Sequence, residues 1–478
     1  MDTGILAIDQ GTSGTKALVM DTGGVVRSVV EIALSLRTLP DGGVEQDPGE
    51  LLASVLDAGR RALAEANIDV VAVGVANQGE TVLAWDVATG EARSAAVSWQ
   101  DRRSADLVAS LGQHAPRVEE ISGLPLDPYF TAPKLRWLKD RGHQGDRVTG
   151  LDAWLNWHLC GHAVTDVATA SRSLLLDLAT RSWSSEAAGI FGLDVGELPE
   201  LVLTTSEQLS TTAFGPTLPL SALIVDQQAA LWGEQCHVRG EGKCTYGTGA
   251  FYLLNCGDTP THSRHGLSAS VAWVTHTDTA YCLDGQVYSA GSAVDWLIRT
   301  GLLSSSAAID HVVSGVRESS RATCVPSFAG LGAPRWEPRA SAQFEGIDLS
   351  TTPEDIVWSV IDGIACQVAA VVAASESDLG SPLEVLRVDG GLTSSEALMQ
   401  HQADVLQRPV EVFFSPHATA IGVAELAYQG LGMGPLAPHR SIVGRRYEPR
   451  MSGDQARERR ARWEAAADRA GAAARERS

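Results

Sequence analysis

The chain has 478 residues, of which 44% are hydrophobic and 20% charged, and its formal net charge is −21. That length and balance fit a globular protein of two or more domains, and the acidic excess repels nucleic acid and anionic membrane, so neither is an expected partner. The cysteines (Cys160, Cys236, Cys244, Cys256, Cys282, Cys324, Cys366) are scattered, odd in number and form no CxxC pair, which argues against structural zinc and against a disulfide framework. No basic segment followed by an apolar core opens the sequence, and no stretch is read as reaching the roughly 20 apolar residues of a membrane span. A cytoplasmic location is therefore expected.

In chain order, Ile5-Leu6-Ala7-Ile8 reads as a buried strand that stops at Asp9-Gln10-Gly11-Thr12-Ser13-Gly14-Thr15-Lys16. Ala17-Leu18-Val19-Met20 reads as the return strand. Glycines let a backbone approach an anion, hydroxyls and amides bond phosphate oxygens, and a carboxylate can hold a divalent metal. The turn is thus either a nucleotide-phosphate hairpin or an ordinary hairpin with a polar turn. Pro48-Gly49-Glu50 opens a helical pattern carrying Leu51, Leu52, Val55, Leu56 and Leu63 on one face. Val70 to Val75 is a continuous apolar run, typical of a strand buried on both faces, and ends at Asn77-Gln78-Gly79-Glu80-Thr81.

Ala222-Leu223-Ile224-Val225 stops at Asp226, and the apolar run ending at Val388 stops at Asp389-Gly390-Gly391. A second glycine turn, Thr245-Tyr246-Gly247-Thr248-Gly249, follows mid-chain. Strands alternating with helices predict an α/β protein, and the two glycine turns predict two similar halves facing one cleft. Ligands in such sheets bind at the carboxyl ends of strands. The last stretch, Gln455 to Ser478, reads as a charged terminal helix or frayed tail with no catalytic role.

These motifs, together with Trp99-Gln100-Asp101-Arg102-Arg103, Asp127-Pro128-Tyr129-Phe130 with Lys134 and Trp137, Asp226-Gln227-Gln228-Ala229, and Gly330-Leu331-Gly332-Ala333-Pro334, resemble the FGGY carbohydrate kinases, and within them the glycerol kinases. The resemblance runs from Ile5 to about Gly432. It implies a two-domain α/β fold of the actin and hexokinase type (ribonuclease H-like) with an interdomain cleft, the first domain spanning 1–244, the second 245–450, and a tail 451–478. It implies ATP and Mg²⁺ as cofactors, a small polyol or sugar as substrate, and a homodimer or homotetramer as possible assemblies.

Carried over residue by residue, Asp226 matches the catalytic base, with capping of the following helix as the plainer reading. Asp9 and Asp226 match the metal site. Thr12, Ser13, Lys16, Thr248, Gly249, Gly291, Gly390, Gly391 and Ser395 match nucleotide contacts. Glu80, Trp99, Tyr129, Asp226 and Gln227 match substrate contacts, with Phe251 as an aromatic wall or a core residue. Lys16 stands in place of an Arg, Asp295 in place of a Gln, and Ser395 in place of an Asn.

Gly79 stands where an Arg that bonds a substrate hydroxyl is expected; losing a buried charged donor costs about 1.5–3 kcal/mol unless another group fills the gap. That leaves glycerol open as the substrate beside a longer acceptor such as erythritol or xylulose. The uncharged stretch Ala213 to Leu218 predicts no regulation by fructose 1,6-bisphosphate. A non-catalytic nucleotide-binding protein is the competing class, and Asp226 speaks against it.

Overall fold

The computed structural model describes residues 3–206, 208–316, 321–433 and 443–476. Two mixed sheets form its frame, and they repeat one plan. In the first half, β1 (Thr3–Gln10), β2 (Gly14–Asp21) and β3 (Val26–Ala33) form an antiparallel meander. After α1 (Pro48–Ala66), the strand β4 (Asp69–Asn77) returns parallel to β1. A short edge strand, β5 (Ser210–Thr211), precedes β6 (Leu218–Val225), which lies parallel to β4. The order across the sheet is β5-β6-β4-β1-β2-β3.

The second half begins after α2 (Asp226–Gly233). Its strands β7 (Gly242–Tyr246), β8 (Ala250–Gly257), β9 (Ser268–Val274) and β10 (Thr279–Val287) pair antiparallel in the order β9-β10-β8-β7. The helices α3 (Gly291–Arg299) and α4 (Pro353–Leu379) follow, and β11 (Leu386–Asp389) returns parallel to β7. After α5 (Glu396–Leu406), β12 (Val410–Phe413) lies parallel to β11. Then come α6 (Ala418–Gly430), the edge strand β13 (Val443–Tyr447) and α7 (Gly453–Glu476). Thus β7, β8, β11 and β12 repeat the roles of β1, β2, β4 and β6, as the paired glycine turns predict.

Local sequence accounts for the elements. Asp47 caps α1 through the amides of Gly49 and Glu50, Pro48 occupies the first turn, and Asn67 ends the helix in a left-handed conformation. Thr352 and Asp355 close a capping box at the start of α4. Helix α2, which follows the last strand of the first half, crosses α6, which follows the equivalent strand of the second. A Cβ on Gly422 would sit 1.9 Å from the carbonyl oxygen of Ala229, and one on Gly233 would sit 2.3 Å from that of Ala418, so only glycine permits this contact.

Three sequence expectations need correction. The boundary at 244/245 falls inside β7, which pairs wholly within the second sheet, so the halves divide before Gly242. The terminal segment is a helix, one of its two expected forms, but not a solvated one: α7 buries Trp463, Ala466, Ala467 and Ala470 in the second core, and the Trp463 indole donates to the carbonyl of Cys324 at 3.0 Å. Helix α4 is long and apolar enough, by length and composition, to cross a membrane; its most apolar window is 83% buried within the protein, where it serves as the central core helix of the second half. The cysteines are all free thiols, as expected, and all but Cys160 are buried.

Candidate active site

A cavity of about 470 Å³ opens between the halves at the carboxyl ends of β1, β4 and β6. Thr12 and Ser13 of the first hairpin line it, with Gln78, Gly79 and Glu80 after β4, and Asp226 and Gln227 at the start of α2. The second half contributes Thr245, Thr248 and Phe251, and Asp284 and Gln286 from β10. Trp99, Tyr129 and Arg172 complete the wall.

Asp226 is the first residue of α2, and its Oδ1 accepts the amide of Gln227 at 2.7 Å. Burial pushes its carboxyl up to about 7, helped by the charges of Asp9 and Glu80 and opposed by Lys243 and the Gln227 amide. Asp226 therefore bonds the helix start and faces the cavity at once. Asp9 pairs across the hairpin with Lys16. Burial lifts Asp9 to about 6, Lys16 opposes the shift, and Asp389 and Glu31 add to it.

The acceptor side is an aromatic box. Trp99 meets Tyr129 edge-on at 5.7 Å and Phe251 at 5.8 Å between ring centres, so rings from both halves form one wall. Phe251 is thus a wall residue rather than a core residue. The Trp99 indole donates to Thr12 Oγ1 at 2.8 Å, and Thr12 in turn donates to Gln78 Oε1 at 3.1 Å. The Thr12 hydroxyl, expected on a phosphate, instead ties the first hairpin to the acceptor wall. Lys134 is fully buried and donates to the carbonyls of Pro128, Tyr129 and Phe130, which fixes the loop presenting Tyr129; burial pushes its ammonium down to about 7.

Gly79 does not leave this pocket without a cation. The buried Arg172 donates from Nε to Glu80 Oε1 at 2.7 Å and from Nη1 to Asp284. Glu80 is itself held in a left-handed backbone conformation, φ 54°, the kind of strain that persists where surroundings over-determine a functional residue. Lys243, also buried, donates to Gln227 Oε1 and Thr245 Oγ1, both at 2.7 Å, and so orients Gln227. Sequence reasoning missed Arg172, Lys243, Asp284 and Gln286. The available signal was a charged or amide side chain inside an otherwise apolar strand, at Lys243 and Asp284 above all.

The remaining expected nucleotide residues lie around the second hairpin. Gly247 and Gly249 close its turn (Gly247 N to Gly249 O, 2.9 Å), and the amides of Gly291 and Ser292, at the start of α3, bond the carbonyls of Gly247 and Thr248. Gly390 has φ 94°, and a Cβ there would lie 2.4 Å from the Tyr246 carbonyl oxygen, so the close approach of β11 to the hairpin requires glycine. Around Gly391 there is open space. Ser395 departs from its expected role: its hydroxyl caps α5 through the Leu398 amide and donates to Asp310 at 2.6 Å. Asp295 is solvent-exposed on α3. Lys16 lies beside Asp9, outside the cavity lining.

Two carboxylate-bearing strand ends, two glycine hairpins and a polar box with aromatic walls define a phosphoryl-transfer enzyme acting on a hydroxyl. Comparison with known proteins agrees. Residues 4–233 match the N-terminal domain, and residues 242–430 the C-terminal domain, of the FGGY family of carbohydrate kinases. The chain belongs to that family, which makes it a carbohydrate kinase with ATP as the phosphoryl donor. It is 36% identical to the glycerol kinase of Acinetobacter baylyi, with 98% of each chain covered, and 38% identical to that of Alkalilimnicola ehrlichii, with 99% of each covered. The structure superposes on that of Plasmodium falciparum glycerol kinase with ADP with a TM-score of 0.89, at 28% identity over 98% of each chain. A gluconate kinase from Lactobacillus acidophilus shares the fold, with a TM-score of 0.87 at 19% identity over 99% of each chain.

Proposed function

We propose that this chain transfers the γ-phosphoryl group of ATP to a hydroxyl of a small glycerol-like polyol, with Asp226 as the general base. The observation that carries the reading is Asp226 itself: a carboxylate placed directly after β6, held at the start of α2 by the Gln227 amide, and facing a cavity walled by Trp99, Tyr129 and Phe251. A carboxylate so placed can accept the proton of an attacking hydroxyl. The relatives named glycerol kinase support a polyol as the acceptor.

The polyol hydroxyls have stations in this cavity. The reacting hydroxyl faces Asp226, a second reaches Gln227, whose amide Lys243 orients, and a third reaches the Glu80–Arg172 pair. The carbon skeleton packs on the rings of Trp99 and Phe251. The two hairpins approach the phosphates from opposite sides with backbone amides and the Ser13 and Thr248 hydroxyls. Closure of the halves excludes water and so limits ATP hydrolysis.

Asp9 and Asp226 suit a Mg²⁺ ion. Each stands in a crowded anionic site, and Asp9 raises Asp226 through its charge, so a cation there relieves a repulsion the fold otherwise sustains. Mg²⁺ keeps several waters and takes one or two carboxylates, consistent with so few protein ligands. When bound it would neutralise charge on the transferring phosphoryl group.

Asp226→Asn tests the assignment. ADP release with the preferred polyol should fall by about 10²–10⁴-fold, while calorimetry still detects ATP binding. Near-normal turnover in that variant would overturn Asp226 as base.

A further inference from the structure

The acceptor pocket carries polar side chains beyond the three stations assigned to a triol, and one of them, Gln286, holds a buried oxygen without a partner. Along β10, alternate residues point to the same face, so Asp284 and Gln286 both face the cavity, and Gln286 stands directly across from Phe251 in the neighbouring strand. The Gln286 side-chain amide donates from Nε2 to Asp284, which Arg172 also engages. That bond fixes the orientation of the amide, because the carboxylate of an ion pair accepts and the carbonyl end cannot take its place. Gln286 Oε1 is left buried with no hydrogen-bond partner, in a residue only 2% exposed. A buried acceptor without a donor is costly, and in a native fold it calls for a partner.

Three hydroxyls of a triol are already matched by Asp226, Gln227 and the Glu80–Arg172 pair. In the same lining, Gly79 offers no side chain, and the one atom within 4 Å of a Cβ added there would be Val225 Cγ2, at 3.0 Å.

We propose that Gln286 is a specificity-determining residue whose side-chain carbonyl accepts a hydrogen bond from a fourth hydroxyl, which extends the acceptor range to polyols of four or more carbons. This rests on the polyol kinase reading above. It requires only a hydrogen bond in the ground state, so its effect falls mainly on KM.

The decisive test uses the unmodified protein. Coupled ADP release is measured with glycerol, erythritol, threitol and 1,2,3-butanetriol, the last having four carbons without the fourth hydroxyl. The expected result is turnover of at least one tetritol with kcat/KM no lower than that for glycerol, and on the order of 10- to 100-fold above that for 1,2,3-butanetriol, as fits a buried acceptor deprived of its donor. Gln286→Leu should bring that tetritol-to-butanetriol ratio close to one, with the change in KM. A thermal melt establishes that the variant is folded; if it is not, the analogue pair on the parent protein decides alone. Equal use of the tetritols and 1,2,3-butanetriol, or turnover of glycerol without detectable turnover of either tetritol, overturns the proposal and leaves the kinase reading intact. Absence of ADP release with every acceptor, glycerol included, overturns the kinase reading itself.

Discussion

The halves share a strand order, and each carries a glycine hairpin, yet what stands beyond their other strand ends differs. In the first half the strand ends add functional side chains: Asp9 near the end of β1, Gln78 and Glu80 after β4, Asp226 after β6. In the second half they deliver backbone: Gly247 and Gly249 after β7, Gly390 and Gly391 after β11. Side chains discriminate among hydroxyl patterns because each atom must be matched or left unsatisfied. Backbone amides suit phosphate, whose oxygens are alike and present in every nucleotide. Duplicating a frame and then dividing the work between its copies separates what must be selective from what must be general.

Substitutions on either side of that division should break different things. The largest effect is expected at Arg172→Met, which leaves Glu80 and Asp284 as buried, unpaired carboxylates. Denaturant unfolding should show a loss of about 3–5 kcal/mol, and the acceptor KM should rise by a larger factor than the nucleotide Kd. On the other side, Gly390→Ala places a side chain at φ 94° and against the Tyr246 carbonyl. It should cost about 1–3 kcal/mol and weaken ATP binding by calorimetry more than it changes the acceptor KM. Reversal of those two patterns would refute the division.

The smallest effect concerns a charge cluster outside the lining of the cavity. Asp362 of α4 is buried with His401 of α5 (2.7 Å) and Arg459 of α7 (3.2 Å). Burial pushes its carboxyl up, but the hydrogen bond and charge of His401 and the Arg459 guanidinium outweigh that and hold it below the usual value. Since the folded group titrates lower than the unfolded one, at about 3.9, its stabilisation is fully present above that pH and is lost as pH falls through the folded value. Urea midpoints measured from pH 6 down to 3 should fall less steeply in Asp362→Asn than in the parent. Equal slopes would remove Asp362 from the acid response.

The sequence made legible whatever is written locally. Strand, carboxylate and glycine turn are adjacent residues, so Asp9, Asp226 and both hairpins could be read directly, and the glycine turns implied the duplicated frame. Arg172 could not be read this way, because its partners Glu80 and Asp284 lie 92 and 112 residues away and meet it only in the folded pocket. The same holds for Thr12, whose hydroxyl meets an indole 87 residues on. Helix α7 misled for a different reason. Its Arg and Glu content describes the exposed face, and the small alanines of its other face carry little signal until Trp463 is seen in the core.

The glycine-to-glycine crossing of α2 and α6 bears on how the two halves are joined. Helix α6 follows the last core strand of the second half, yet it packs into the core of the first sheet, where Ala420, Ile421 and Ala424 lie with Ile5, Ala7, Ala72 and Ile224 and with Ala229 of α2. The chain of the second half is thereby tied into the layer that presents Asp226, and the missing side chains at Gly233 and Gly422 let the two helices seat directly on each other there.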